Sequence, residues 1–213
     1  MAGRPSDELK TKDLPHLAAF VLLAAALRAS AAEPSRLERV RLETSLGEIW
    51  LDVYPARAPI TVSNFLRYVD GGFYDGGQFH RTVTSSNQPT DKVRITVIQG
   101  GANPSRAAQS FPAIPLERTR DTALRHTNGV VSMARAAPPD TATSDFFICL
   151  GPQPELDFGG KRNPDGQGFA AFGVVVRGME TVERIHRAHA DGQKLNPPIR
   201  ILRLRRTATE QTD

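Results

Sequence analysis

The amino-acid sequence predicts a mainly β domain whose antiparallel strands close into a barrel, accompanied by two helices. Three observations support this fold class: many short segments suited to strands, only two segments with helical periodicity, and connections rich in glycine and proline. The chain has 213 residues, which suits one domain or one domain with an appendage. Its composition, 39% hydrophobic and 23% charged, is ordinary for a globular protein.

The first two predicted strands form a hairpin. Ile49, Leu51 and Val53 alternate with residues that can face outward, which is the period of a half-buried strand. Residues 40–44 alternate in the same way, and residues 45–47 are few enough to make the turn between them.

Two helices are predicted from apolar residues spaced three and four apart. The first begins at Pro59, whose fixed φ suits a first helical turn, and has apolar residues at 62, 65, 66 and 69. Gly71 and Gly72 end it. The second begins at Gly178 and has apolar residues at 179, 182 and 185.

The rest of the domain is predicted to consist of strands and polar loops. The further strands are expected at 78–83, 93–99, 130–134, 145–150, 170–176 and 199–204. Segments 84–92 and 157–167 are rich in polar residues, glycine and proline and are expected to be surface loops. Residues 207–213 are expected to form a flexible tail.

The first 32 residues are predicted to be a signal peptide or an N-terminal anchor. An apolar run from Leu17 to Leu27 is followed by small residues at 29–32, as in secretory signal peptides. The run is shorter than the about 20 residues that span a bilayer. An amphipathic or merely Ala-rich helix is the alternative. A signal peptide predicts a periplasmic or secreted protein without a stable membrane span after cleavage.

The charge and the cysteine content argue against several classes of function. The net charge of +4 is mild, and the basic residues are scattered except for a cluster at 200–206, so no nucleic-acid partner is expected. The single cysteine, Cys149, lies in an apolar run and is expected to be a packed core thiol. Neither Cys149 nor Ser144 lies in a nucleophile motif, which argues against a hydrolase. His186 and His189 are expected three apart on the second helix, as a possible metal pair, but they lack a third ligand nearby in sequence, so no metal site is predicted.

Several motifs occur in the order and approximate spacing that they have in cyclophilins. They are Ala58–Phe65, Phe79-His80-Arg81, Val97–Gly101, Asn128–Arg135, Thr143–Ile148 and Phe172–Val175. From about residue 40 to 204, the chain therefore resembles the cyclophilin-type peptidyl-prolyl cis/trans isomerases, of the bacterial exported type. The resemblance implies a domain at 37–206 with an eight-stranded antiparallel barrel, a helix over each end and a substrate groove on the outside. It also implies proline-containing polypeptides as partners, no cofactor and a monomer.

The resemblance implies a catalytic role for Arg81 and Gln99. Rotation about an X–Pro bond breaks no σ-bond, and its barrier of about 20 kcal/mol is the lost amide resonance. A donor aimed at the lone pair that the proline nitrogen regains would bind the twisted transition state better than either ground state. Arg81 matches that donor, and Gln99 is suited to hold it. The substrate-binding positions implied by the family are Thr96, Val97, Ala134, Arg135, Asp145, Phe147, Leu156 and Phe169.

The sequence departs from the family pattern in the wall of the pocket. Thr96 and Val97 replace an aromatic residue and a methionine, which makes the wall smaller and more polar. Glu155 stands where a large aromatic residue is frequent, so cyclosporin binding is expected to be weak. Residues 85–94 are an insertion beside the groove, which either replaces the wall or is a tolerated surface loop.

Two further expectations concern the neighbours of Arg81. Asp145 replaces a glutamine and is expected to pair with Arg81 and lower turnover, so that Asp145→Gln should raise kcat. His80 is expected to lie on the opposite face of the strand from Arg81 and to be structural. The altered pocket also leaves open a second function, a proline-peptide binding or chaperone module with weak or no catalysis.

Overall fold

In the computed structural model, which describes residues 37–207, the chain forms a closed antiparallel β-barrel. The strands are β1 (Glu38–Thr44), β2 (Gly47–Val53), β3 (Gln78–Val83), β4 (Val97–Gly101), β5 (Val130–Met133), β6 (Phe146–Cys149), β7 (Ala170–Arg177), β8 (Ala190–Asp191) and β9 (Lys194–Thr207). The α-helices are α1 (Pro59–Asp70), α2 (Thr119–Thr122) and α3 (Met179–His186). Short 3₁₀ helices lie at Pro104–Gln109 and Pro154–Leu156.

The strand order confirms the predicted eight-stranded barrel. The strands follow the order β1-β2-β7-β5-β6-β4-β3-β9, and β9 also pairs with β1, which closes the sheet on itself. β8 has two residues and pairs with β9 at one side of this ring. The strand pairings among residues 37–207 are antiparallel, and in the closed barrel each strand has one face toward the interior and one toward the outside.

The barrel interior is filled by apolar side chains together with one face of α1. Val62, Phe65 and Val69 of α1 are buried, as their spacing predicts. Phe65 packs against Phe172 of β7 and Phe146 of β6, with ring centroids 4.9 and 5.9 Å apart. Aromatic contacts at such distances add to the stabilisation from buried area.

α3 packs at another side of the barrel and is shorter than the sequence indicates. Val182 and Ile185 are fully buried. Gly178 precedes the helix at φ 94°, and a Cβ there would lie 2.3 Å from the Glu48 carbonyl oxygen, so this position needs glycine. The helix ends at His186, so the expectation that His189 shares it is wrong.

The structure changes several predicted boundaries. β4 begins at Val97, so residues 93–96 of the predicted strand belong to the preceding loop. β9 is longer than predicted and includes Thr207, the first residue of the predicted tail. The expectations for residues 1–32 and 208–213 lie outside the described residues. Among residues 37–207, no helix is long and apolar enough to cross a membrane.

The basic cluster at residues 200–206 is partly neutralised by acidic side chains. Arg206 donates from Nε and Nη2 to the carboxylate of Asp70, at 2.9 and 2.6 Å. Arg205 forms a comparable pair with Asp75. These residues therefore belong to surface ion pairs that connect β9 to α1 and to the segment after it.

Candidate active site

Four neighbouring strands place a row of side chains on the outer face of the barrel. In the strand register, Arg81 of β3 faces Gln99 of β4, Gln99 faces Phe147 of β6, and Phe147 faces Ser132 of β5. Directly paired residues point to the same face of a sheet. The adjacent row lies in the barrel core and consists of Ile98, Ile148 and Val131. The row that begins with Arg81 therefore faces outward, as expected for a groove on the outer wall.

Arg81 is held by two amide side chains. Its Nη1 donates to Gln99 Oε1 at 3.0 Å, and its Nε and Nη2 both donate to Gln193 Oε1 at 2.9 and 2.6 Å. A guanidinium has five N–H groups. Within the part of the chain that the structure describes, the second N–H of Nη1 and the second N–H of Nη2 have no acceptor. Arg81 thus has a fixed plane and two N–H groups available to a ligand.

The pKa of Arg81 is affected by its burial and by two charged residues in nearby loops. Burial is the main cause that lowers the pKa of Arg81, Arg162 lowers it further, and Asp91 opposes both. Because the arginine guanidinium is a very strong base, the group remains protonated at neutral pH. The site therefore presents a partly desolvated cation, whose hydrogen bonds are stronger than they would be in water.

Asp145 does not pair with Arg81, contrary to the expectation from the sequence. Its Oδ2 accepts a hydrogen bond from Gln99 Nε2 at 3.3 Å and lies 3.6 Å from His80 Nε2. Gln99 therefore stands between the carboxylate and the guanidinium, and Asp145 fixes the orientation of the Gln99 amide. Burial raises the pKa of Asp145, while His80 and the hydrogen bond from Gln99 lower it by less.

His80 lies beside the site because β3 is irregular at this point. The register between β3 and β4 shifts between Phe79 and Arg81, so an extra residue is accommodated there. A β-bulge of this kind interrupts the alternation of side chains. The simple alternation used in the sequence analysis placed His80 on the opposite face, and its contact with Asp145 corrects that placement.

A second apolar cluster, separate from the barrel core, adjoins the row. It consists of Val83, Ile95, Val97, Phe147, Cys149 and Leu156, with Ala134 and Phe169 packed against it. Phe147 is 5% exposed, and its ring meets that of Phe169 edge to face at 5.5 Å. We name this cluster the outer pocket, because the family resemblance implies a seat for the proline ring at Phe147 and Leu156. It brings together five of the predicted substrate-binding residues: Val97, Ala134, Phe147, Leu156 and Phe169.

Ile95 belongs to the outer pocket and was missed by the sequence analysis. It is 7% exposed and shares the cluster with Val97, two residues further along the chain. Thr96 lies between them, half-buried, with its N–H donating to Gln153 Oε1 at 3.1 Å and its carbonyl accepting from the Leu150 N–H. The apolar alternation of residues 95 and 97 was the signal that could have identified Ile95.

Arg135 uses its side chain for structure and leaves its main chain available. The buried guanidinium donates to the Gly168 carbonyl at 2.8 Å and to Asp165 at 2.9 Å. It also lies over the ring of Phe169, 5.1 Å from the centroid. Among residues 37–207, the Arg135 main-chain N–H and C=O have no hydrogen-bond partner. This main chain is suited to pair with an extended peptide, as the family resemblance implies for Ala134 and Arg135.

Three buried polar side chains, linked by hydrogen bonds, pack against the outer pocket. His126 stacks on Phe147 with ring centroids 5.9 Å apart. Its ring nitrogens lie 2.7 Å from Asp157 Oδ1 and 2.9 Å from Ser132 Oγ. The residue types are those of a hydrolase triad, but Ser132 and His126 are 0% and 2% exposed, so no substrate reaches them. Their role is to fix the ring on which Phe147 packs.

The buried polar contacts of Asp157 with His126 make the free energy of unfolding depend on pH in the acid range. Burial acts to raise the pKa of Asp157, but the hydrogen bonds from the His126 side chain and N–H outweigh it and the net pKa is lowered. A lowered folded-state pKa means that the stabilisation is fully present above the unfolded-state pKa of about 3.9. It is lost as the pH falls from that value through the folded-state pKa.

The insertion is held by buried polar contacts and is not a simple surface loop. Gln88 is 1% exposed, and its Nε2 donates to the carbonyls of Thr84 and Ile95 at 2.6 and 2.8 Å. Its Oε1 accepts from the Ile95 N–H and from Arg162 Nη1, at 3.2 and 3.1 Å. Arg162 also donates to the Val93 carbonyl at 2.7 Å. The expectation that 84–92 is wholly a surface loop is therefore wrong at Gln88, which anchors the segment that delivers Ile95.

Within the described part of the chain, no second catalytic site is formed by Cys149, His186 or His189. Cys149 is fully buried, and burial strongly raises the pKa of its thiol, so the thiolate nucleophile is disfavoured. Within residues 37–207, no group of three or more His, Cys, Asp or Glu residues is placed to hold a metal ion. His186 and His189 instead lie 3.2 Å from the Val83 carbonyl and 3.6 Å from Asp191.

An eight-stranded barrel with an arginine, a glutamine and an apolar cluster on its outer wall is the arrangement of a cyclophilin-like domain. The family described as "Cyclophilin type peptidyl-prolyl cis-trans isomerase/CLD" matches residues 39–206. The chain therefore belongs to the cyclophilin-type family and is by homology a peptidyl-prolyl cis-trans isomerase, as the resemblance in the sequence implies.

Relatives in bacteria and a solved structure agree with this assignment. The chain is 36% identical over 152 residues to peptidyl-prolyl cis-trans isomerase A of Dickeya dadantii, an overlap of 71% of this chain and 73% of the relative. It is 38% identical over 149 residues to peptidyl-prolyl cis-trans isomerase cyp18 of Streptomyces antibioticus, covering 70% and 83%. A cyclophilin type peptidyl-prolyl cis-trans isomerase of Cryptosporidium parvum superposes with a TM-score of 0.65 at 22% identity, covering 82% and 99%, which supports the fold.

Proposed function

We propose that this chain isomerises X–Pro bonds with Arg81 as the donor to the proline nitrogen and the outer pocket as the seat of the proline ring. The observation that carries the proposal is the state of Arg81, which is fixed by Gln99 and Gln193 and retains two N–H groups without an acceptor. A donor that is already oriented loses little entropy when the transition state forms.

The catalytic step needs one new interaction and no bond to the protein. As the peptide bond twists, the proline nitrogen becomes pyramidal and its lone pair becomes a hydrogen-bond acceptor. An N–H of Arg81 donates to that lone pair and lowers the barrier, because the planar cis and trans forms present no such acceptor. A preorganised donor contributes about 3–4 kcal/mol. A 10⁴-fold acceleration requires about 5.4 kcal/mol, so the remainder falls to positioning and to the dry pocket.

The outer pocket and the Arg135 main chain supply that positioning. The proline ring packs on Phe147, with Leu156 and Val97 beside it and Phe169 at the edge. The free N–H and C=O of Arg135 pair with the peptide main chain. Ile95 adds an apolar side chain beside Val97, so the cluster remains apolar although Thr96 is polar. The smaller wall reduces the fit to the ring and lowers turnover relative to the family pattern.

The proposal extends to the cellular role and to inhibitors. The signal-like pattern of residues 1–32 supports a periplasmic or secreted monomer that assists exported proteins past slow proline isomerisation. Expression of the full chain in bacteria, with fractionation and mass measurement of its N-terminus, tests the export. An uncleaved cytoplasmic product contradicts it.

Cyclosporin is expected to bind weakly. Glu155 accepts a hydrogen bond from the Lys161 N–H at 2.8 Å and puts a carboxylate where the family often has an aromatic ring.

The isomerase activity is tested with an Ala-Pro peptide by exchange NMR. The mature protein should increase the cis/trans exchange rate of the peptide without added metal or cofactor. Binding of the peptide without faster exchange would establish the binding-module function instead, with Thr96 and Val97 as the first residues to restore to the family's types.

A further inference from the structure

We propose that Gln193 is a positioning residue for Arg81 and that the insertion at residues 85–94 holds Gln193 in place. The inference rests on the proposed function and deepens it, because it assigns the insertion a role in the same site. Nothing in the sequence motifs pointed to Gln193. It lies in the turn between β8 and β9, 112 residues from Arg81 along the chain.

Gln193 fixes the edge of the guanidinium that Gln99 leaves open. Gln99 accepts one hydrogen bond, from Nη1, and a single contact of this kind allows the planar group to rotate about the bonded nitrogen. Gln193 Oε1 accepts from both Nε and Nη2, on the opposite edge. With both edges held, the guanidinium has one plane and its two remaining N–H groups have one direction.

The Gln193 amide is itself oriented by the insertion. Its Nε2 donates to the main-chain carbonyl of Asn87 at 3.1 Å, which leaves Oε1 to face Arg81. The Asn87 side chain in turn donates to the carbonyls of Thr82 and Gly192, at 3.0 and 2.9 Å. Asn87 therefore joins the end of β3, the turn that carries Gln193 and the insertion itself.

This arrangement explains why an insertion beside the groove is compatible with activity. The chain from Thr84 to Ile95 is anchored by Gln88 at its centre and contacts Gln193 through Asn87. It thus contributes to both parts of the site. Ile95 lies in the outer pocket, and the Asn87 carbonyl holds Gln193, which holds Arg81. The contact of Asn87 with Gln193 acts on the chemical step and not on the binding of the proline ring.

The test is the effect of Gln193→Leu on kcat and on peptide affinity, measured separately. Loss of two hydrogen bonds to a charged group predicts a fall in kcat of about 10-fold or more. The dissociation constant of the peptide should change by less than about 2-fold, because Gln193 is not part of the outer pocket. The Arg81 Nε–H signal in the NMR spectrum should shift and exchange faster with water.

Controls separate this role from a loss of folding. Gln109→Leu is the matched variant, because Gln109 also accepts from an arginine Nε, that of Arg106 at 3.1 Å, but lies exposed outside the site. It should leave kcat unchanged. Asn87→Ala should reproduce part of the Gln193→Leu effect, and the two effects should not add, because both act through the orientation of one amide.

A double-mutant cycle with Arg81→Ala decides the mechanism. Gln193→Leu should have no further effect on kcat once Arg81 is absent. An equal loss in both backgrounds, or a Gln193→Leu protein with wild-type kcat and an unchanged Nε–H signal, overturns the inference while leaving the isomerase function intact. A wild-type protein that does not accelerate exchange overturns the proposed function, and this inference with it.

Discussion

The buried amide of Gln88 should be the main anchor of the insertion, so Gln88→Leu should destabilise the protein strongly. The substitution removes hydrogen bonds to the Thr84 carbonyl, to both main-chain groups of Ile95 and to Arg162. Three neutral bonds at about 1 kcal/mol each and one charged bond at about 1.5–3 kcal/mol give a gross loss of about 5 kcal/mol. The buried leucine returns about 2 kcal/mol.

The net loss of about 3 kcal/mol corresponds to a fall in Tm of about 6–12 °C for a domain of this size. Thermal unfolding followed by circular dichroism measures it, with exposed Gln109→Leu as the control, which should shift Tm by about 1 °C at most. Hydrogen exchange should also show faster exchange at the Ile95 N–H. A Gln88→Leu protein with the Tm and the exchange protection of the wild type would show that these contacts do not hold the insertion.

Two other substitutions test the polar groups around the site. Asp145→Gln should leave kcat within about 2-fold of wild type, because the new amide can still accept from Gln99. Asp145→Leu should lower kcat by about 5-fold or more, because it frees the Gln99 amide. A large rise in kcat in the glutamine variant would instead indicate that the carboxylate competes for the catalytic donor. Asp157→Asn should cost about 1.5–3 kcal/mol at pH 7, because the hydrogen bonds from His126 would no longer go to a charged carboxylate. It should also flatten the loss of stability as the pH falls from about 3.9 through the folded-state pKa, because the lowered pKa is removed. Unfolding curves over this pH range check it, and an unchanged pH dependence would show that the hydrogen bonds with His126 do not set that pKa.

The parts of the fold that sequence predicted are those set by local periodicity. The alternation in β2 and the apolar spacing in α1 gave their bounds to within a few residues. Arg81, Gln99 and Phe147 were identified through the family motifs, and their places in one cross-strand row support the same interpretation.

The parts that were missed depend on closure of the barrel or on local irregularity. Gln193 meets Arg81 only because β9 lies beside β3 in the closed sheet, and no local pattern contains that contact. His80 was misplaced because a bulge interrupts the alternation of β3. The buried state of Gln88 could not be read from a polar segment, since it depends on Arg162 from another loop.

Arg81 as the donor to the twisting proline nitrogen is a claim that the exchange rate of an Ala-Pro peptide with the Arg81→Ala protein tests directly. We expect kcat to fall by about 10²–10³-fold, equivalent to about 3–4 kcal/mol, while the peptide dissociation constant changes only a few-fold. Arg81→Lys, which keeps the charge but loses the planar fork, should recover little of the activity. An Arg81→Ala protein that is folded and exchanges the peptide as fast as wild type would contradict the claim.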